Sequence, residues 1–165
     1  TVTGVGVSTS STYKVTQSPK SEFASFDNGS EMSAPKTAGT VTVEGKTNSS
    51  KLTFAWAGSV VDVTLPAKYN ANGTQTNNAA TISGDPGATA EFPFSIELEF
   101  PKNDTIEEVV RTLKVTANGG QAAQIAIKQA AGDATLSVSP ADITIPQSGS
   151  AVSVNVTSNT SWTAA

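Results

Sequence analysis

The chain is similar to itself at a spacing of about 111 residues, and this internal repeat constrains the fold more than any other feature. The stretch TVTVEGKTNSS, residues 40–50, matches AVSVNVTSNTS, residues 151–161, at two valines, an asparagine and a serine. The stretch TYKVTQSP, residues 12–19, aligns with QIAIKQAA, residues 124–131, on a glutamine 112 residues further along. The two pairs occur in the same order, which favours a repeated unit over the alternative, a chance similarity between strand-rich segments.

This repeat predicts three parts in the 165 residues. Residues 20–131 are expected to form one complete module, residues 1–19 the closing hairpin of a preceding module, and residues 134–165 the opening strands of a following one. A hairpin of about 30 residues is not stable by itself. We therefore expect Val152, Val154 and Val156 to pack against residues outside their own segment, either the N-terminal hairpin or a neighbouring chain.

The clearest strand signal is EFPFSIELEF, residues 91–100, in which apolar and polar residues alternate. Period two is typical of a strand with one buried and one solvated face. The proline at position 93 has no N–H to donate, which predicts either a sheet edge or a bulge at that point. The residues expected on the buried face are Phe92, Phe94, Ile96, Leu98 and Phe100.

Further short alternating runs are separated by turn residues, including Asn118-Gly119-Gly120. Seven or so strands in about 112 residues predict an all-β fold, an immunoglobulin-like antiparallel β-sandwich with one complete module flanked by partial modules. Residues 103–115 also fit a short helix, but their apolar residues fit a loop and strand better. The other residues expected to share strand faces are Leu52, Phe54 and Trp56; Val61, Val63 and Leu65; Leu113 and Val115; Ile125 and Ile127.

Composition excludes several classes of function. The chain has no cysteine and no histidine, so a cysteine nucleophile, a Ser-His-Asp triad and an ordinary zinc site are ruled out. Ten lysines and arginines and a net charge of -4 give no basic surface for nucleic acid. No apolar run approaches the roughly 18 residues of a membrane span. We expect no catalytic residue, no cofactor and no metal site, although 27–31 and 103–108 each gather carboxylates.

The C-terminal segment ATLSVSPADITIPQSGSAVSVNVTSNTSWTAA resembles the start of a BACON domain, an immunoglobulin-like module of Bacteroidetes surface proteins. The stretch from Arg111 to Gln129 is similar to the usual ending of that family, an Arg-led strand, a Gly-rich turn and a strand closing on Gln. The resemblance implies an exported multi-module protein, secreted or at the cell surface, with a lipid anchor possible in its full-length form. The positions that match the start of the family are Leu136, Val138, Pro140, Gly149, Val152, Val154, Val156, Asn159 and Trp162.

Residues 66–90 form the longest stretch without clear alternation, and long loops of this kind are often functional or wrongly assigned. An aromatic ring beside amide side chains is what a sugar needs for stacking and hydrogen bonding. The other interpretation is a polar connection with a short strand at Thr81 and Ile82. The candidate ligand-binding residues are Tyr69, Asn70, Asn72, Asn77 and Asp85 in this stretch, with its other amides Gln75 and Asn78, and Trp162 near the C-terminus.

The leading hypothesis is therefore a non-catalytic module that acts as a spacer or as an adhesion and interaction unit. Its expected partners are neighbouring protein modules or glycans, with no nucleic acid and no direct membrane insertion. One alternative is a carbohydrate-binding module that uses loop aromatics and amides. Another is a pilus or stalk subunit that exchanges strands between chains.

Overall fold

The structure, a computed structural model, describes residues 5–6, 12–18, 21–83 and 90–164. This described part is all-β and contains no helix, and so none that could cross a membrane. The strands are β1 Ala24–Phe26, β2 Glu31–Ala34, β3 Gly39–Thr47, β4 Leu52–Trp56, β5 Lys68–Ala71, β6 Thr74–Asn77, β7 Phe92–Phe100, β8 Val109–Ala117, β9 Ala122–Gln129, β10 Leu136–Ser139 and β11 Asn155–Ser158.

The first nine strands form two sheets that pack face to face. One sheet has the order β1-β3-β7-β5-β6 and the other β2-β9-β8-β4. The chain passes from one sheet to the other between β1 and β2, since β1 pairs with β3 and β2 pairs with β9. The β2–β9 pair is parallel and the other pairs are antiparallel. This order confirms the immunoglobulin-like β-sandwich.

The alternation along β7 orients its side chains as predicted. All five apolar residues of its inner face are buried, and Glu97 and Glu99 are exposed on the outer face. In the facing sheet, Leu113 and Val115 of β8 and Ile125 and Ile127 of β9 are also fully buried. The inner faces of both sheets therefore form one apolar core without a disulfide.

The prediction of a bulge at Pro93 is wrong, because β3 and β7 stay in continuous register there, whereas the predicted edge is present on one side of β7 only. Pro93 lies between two strands: it is in register with Lys46 of β3, and its carbonyl accepts a hydrogen bond of 2.9 Å from the N–H of Asn72. The ladder between β5 and β7 ends at this point, because the chain turns at residues 72–73. The missing N–H of the proline is tolerated at the end of a ladder.

The expected strand through Val61, Val63 and Leu65 is also wrong. These residues lie in an irregular segment, where Val61 is exposed and Val63 is buried. The indole N–H of Trp56 donates to the Val63 carbonyl at 3.0 Å, which holds the segment against the end of β4. A side-chain donor thus replaces the strand ladder that the alternation predicted.

Residues 101–108 form a loop that leads into β8, so the helical alternative for this region is wrong. The loop is organised by the buried side chain of Asn103. Its Oδ1 accepts from the N–H of Thr105 at 3.0 Å, and its Nδ2 donates to the carbonyls of Glu107 and Ala130. Asparagine offers the backbone these bonds in place of helical ones.

The C-terminal strands β10 and β11 pair with each other in a separate two-stranded antiparallel sheet. In this hairpin Val152 and Val154 are exposed and Val156 is half-buried. Residues 5–6 and 12–18 are exposed and lie outside any strand, so those described N-terminal residues do not cover the valines. The closing hairpin at residues 1–19 and the cover from a neighbouring chain stay predictions.

Candidate functional site

The stretch 66–90, expected to be a loop, contains the hairpin of β5 and β6. Its outward side chains include the amides of Asn70, Gln75 and Asn77, all exposed. Asn70 and Gln75 line a crevice of about 400 Å³ together with Lys68, Glu97 and Glu99. The predicted residues Asn70 and Asn77 thus lie on one polar surface of the first sheet.

Tyr69 points the opposite way, into the core, and the expectation that its ring offers a face to a sugar is wrong. The side chain is 2% exposed, and its ring centroid lies 4.9 Å from that of Phe54. Its hydroxyl is buried near the backbone of Leu52 without a well-formed hydrogen bond to the described residues. Burial raises the pKa of this phenol.

The other predicted ligand-binding residues are dispersed. Asn72 occupies the first corner of the two-residue turn between β5 and β6, with φ of 49° followed by 78° at Gly73. Asn-Gly is the preferred pair for such a turn, a signal that the sequence carried and the prediction passed over. Asp85 lies outside the described residues. Trp162 is 51% exposed and follows β11 in the C-terminal segment, whereas the exposed amides lie on β5 and β6.

Asn78, also considered as a sugar ligand, has a structural role. Its Oδ1 accepts from the N–H of Phe54 at 2.8 Å, and its Nδ2 donates to the carbonyl of the same residue at 3.0 Å. The amide therefore satisfies the outward backbone groups of Phe54 in β4, which is an edge strand. Covering edge groups in this way opposes pairing with another chain at that residue.

The Arg-led and Gln-ended strands that the family resemblance picked out meet in a buried polar network. The guanidinium of Arg111 bonds to the Asp62 carboxylate and, at 3.0 Å, to Oε1 of Gln129. It also lies 5.0 Å above the ring of Phe100. The hydrogen bond and positive charge of Arg111 lower the pKa of Asp62. These contacts tie β8, β9 and the irregular segment together at one end of the sandwich.

The C-terminal hairpin reproduces the antiparallel pair of β1 and β3, which we call the first hairpin of the sandwich although β2 lies between its two strands along the chain. In the sandwich, Ala24, Ser25 and Phe26 are in register with Thr47, Lys46 and Gly45. In the C-terminal hairpin, Leu136, Ser137 and Val138 are in register with Ser158, Thr157 and Val156. Each residue of β10 thus lies 112 positions after its counterpart in β1, and each residue of β11 lies 111 positions after its counterpart in β3. The register agrees with the spacing of the sequence repeat.

An asparagine holds each hairpin in the same way, and we call this arrangement the asparagine clasp. Asn48 Oδ1 accepts from Phe23 N at 2.8 Å, and Asn159 Oδ1 accepts from Thr135 N at 2.8 Å. The hydroxyls of Thr47 and Ser158 donate to the carbonyls of those same residues, Phe23 and Thr135. The asparagine Nδ2 groups donate to the carbonyls at positions 21 and 133.

The two copies differ in what covers their apolar residues. Val43 of β3 is fully buried, whereas Val154 at the equivalent position is 39% exposed. Phe26 is 6% exposed and its counterpart Val138 is 49% exposed. In the sandwich, the opposite sheet and β7 provide the cover. The second hairpin thus presents an apolar face that corresponds to a core surface.

Among the residues that the structure describes, no three acidic side chains come together. No protein-family model matches the chain, and no curated protein matches it closely. The repeated hairpin, the polar network and the amide surface are therefore the features from which a function is inferred.

Proposed function

We propose that the chain is a piece of a tandem array of immunoglobulin-like modules, which acts as a non-catalytic spacer or interaction unit at the surface of a bacterium. The observation that carries the proposal is the repeated hairpin, with the same register and the same asparagine clasp. Its exposed valines occupy the positions of core residues, which supports a second sandwich completed by further strands. The BACON resemblance supports an exported protein and is part of the proposal.

A chimera made only from this chain tests the tandem arrangement. Residues 1–161 are followed directly by a second copy of residues 51–131, which supplies the strands equivalent to β4 through β9. We expect a second sandwich to form on the C-terminal hairpin, because the added strands bury its apolar face. Hydrogen-exchange mass spectrometry is expected to show new protection at residues 152–156.

Val154→Asp is the matched variant for this experiment. In the chimera the new carboxylate falls at a core position, so the second sandwich is expected to unfold and protection to be lost. In the 165-residue chain the same change is expected to alter the stability of the sandwich by less than about 0.5 kcal/mol, because residue 154 is exposed. A chimera whose added strands stay unprotected would contradict the proposal.

The amide surface favours glycan binding as a second candidate function. Asn70 and Gln75 place donors and acceptors along the crevice, although Tyr69 contributes no ring to it. On a glycan array, this candidate predicts binding by the intact chain that Asn70→Ala weakens at least tenfold, the cost of about one hydrogen bond to a sugar. Asn155→Ala, on the C-terminal hairpin and outside the crevice lining, serves as the control. An intact chain that binds no glycan removes the candidate.

Strand exchange between chains has less support for the complete sandwich. The closing strand β9 is already paired on both sides, with β2 and with β8. A subunit that accepts a donor strand needs an open position in its sheet. The C-terminal hairpin, with its apolar face, is where an exchange would have to occur.

A further inference from the structure

We infer that the sandwich carries a docking surface for the module that follows it, so that successive modules are held at a fixed angle. This inference rests on the proposed tandem arrangement and adds the contacts that orient it. The surface, which we call the socket, consists of Lys36, the loop 103–105 and the connecting residues 130–133. Its partner is the opening hairpin of a second immunoglobulin-like module, represented here by β10 and β11.

The connection between β9 and β10 is bonded to the sandwich at successive residues. The Ala130 N–H donates to the Ala34 carbonyl at 3.0 Å, and the Gly132 N–H donates to the Thr105 carbonyl at 2.7 Å. Lys36 and Asp133 also form an ion pair of 2.5 Å, but it is exposed and adds little to the two backbone hydrogen bonds. A free Gly- or Ser-rich linker makes no such bonds and leaves its domains independent. The contacts of residues 130–133 thus oppose bending at this point.

Gly132 fits the socket because it has no side chain. A Cβ at this position would overlap the carbonyl oxygen of Asn103 and lie 2.9 Å from that of Thr105. Both oxygens are backbone atoms of a loop that the Asn103 side chain fixes in place. The loop cannot yield as a flexible side chain would. Any larger residue is therefore expected to displace the connection from the sandwich.

The hairpin itself reaches the socket through the asparagine clasp. Asn159 Nδ2 donates at 2.9 Å to the Asp133 carbonyl within the connection and at 2.9 Å to the Asp104 carbonyl of the sandwich. One amide group therefore bridges the hairpin, the connection and the preceding module. The same side chain, through Oδ1, holds Thr135 at the start of the hairpin. The Oδ1 atom of Asn159 therefore closes the hairpin, and its Nδ2 group orients the hairpin on the sandwich.

Residual dipolar couplings of the 165-residue chain test this inference. We expect the backbone couplings of β10 and β11 to fit the same alignment as those of the sandwich. Cross-strand contacts between residues 138 and 156 establish independently that the hairpin is formed. In Gly132→Ala, the couplings of β10 and β11 are expected to fall by about half or more, because the hairpin is released from the sandwich and either moves on a free tether or loses its cross-strand contacts.

Gly119→Ala is the matched control, because a Cβ there meets only the Glu22 Cβ at 3.9 Å. Asn159→Ala is expected to reduce alignment as well, while Asn155→Ala on the same hairpin leaves it unchanged. The inference is overturned if the wild-type hairpin is not formed, or if its residual dipolar couplings are already reduced by motion relative to the sandwich. It is also overturned if Gly132→Ala leaves the couplings of β10 and β11 unchanged. A flexible hairpin would still allow the chimera to fold, so this failure is distinct from failure of the tandem proposal.

Discussion

Replacing Phe94 by alanine is expected to lower the free energy of unfolding of the sandwich by about 3–5 kcal/mol, the usual range for a buried phenylalanine. The ring is 2% exposed and lies at the centre of an aromatic cluster. Its centroid is 6.0 Å from that of Phe26 and 5.6 Å from that of Phe54, both edge to face. The truncation would remove these contacts and leave a cavity between the sheets.

Urea unfolding at neutral pH measures this loss, and Glu97→Ala on the same strand is the control. Glu97 is exposed on the outer face, so its removal is expected to change stability by less than about 0.5 kcal/mol. If Phe94→Ala costs no more than the control, the ring does not pack between the sheets as the structure shows.

Arg111→Ala is expected to destabilise the sandwich by about 3 kcal/mol, the lower end of the cost of removing one partner of a buried ion pair. The lower end applies because the Asp62 side chain is 45% exposed and water can solvate its charge. Gln129 is fully buried, and its Oε1 would lose the donor it has in the folded chain. The contact with the Phe100 ring would be lost as well.

Acid distinguishes the ion pair from simple packing. Because Arg111 lowers the pKa of Asp62, the Asp62 carboxylate binds a proton less readily in the folded chain than in the unfolded chain. The ion pair therefore contributes fully to the free energy of unfolding above pH 3.8, the ordinary pKa of Asp62. This contribution is lost as the pH falls through the lower pKa that Asp62 has in the folded chain. The difference between wild type and Arg111→Ala is therefore expected to shrink in acid.

Lys128→Ala provides the surface control for Arg111. Lys128 pairs with Glu31 at 2.6 Å on the exposed face of the second sheet. Exposed ion pairs contribute little, so we expect a loss below about 1 kcal/mol. Equal losses from Arg111→Ala and Lys128→Ala would contradict the assignment of Arg111 to a buried network.

The long alternating strands were predictable because period two places every second side chain on one face. Residues 92–100 show this, since the buried face inferred from spacing is the buried face of β7. The strand predicted through Val61, Val63 and Leu65 does not form, because alternation in a short segment does not provide a strand partner. Its alternation is local, but Trp56 supplies a bond that replaces a strand partner. Short patterns do not show which partner a backbone group will find.

The candidate site was only partly predictable. Asn70 and Asn77 were expected to be available to a ligand, and both are exposed on the outer face of the first sheet. Tyr69 was grouped with them because its ring could stack on a sugar and it is adjacent to Asn70 in sequence, yet neighbours in a strand point to opposite sides. Recognising the Asn72-Gly73 turn would have defined the hairpin, and with it the inward direction of Tyr69.

The repeat spacing, the alternating faces and the sandwich class follow from the chain alone, because each is a periodic property of neighbouring residues. The asparagine clasp, the Arg111 network and the bonding of residues 130–133 to the loop at 103–105 required the tertiary structure. These contacts join residues that are distant along the chain, and their geometry depends on how the strands pair. Local spacing carries no record of that pairing, so only the folded chain decides it.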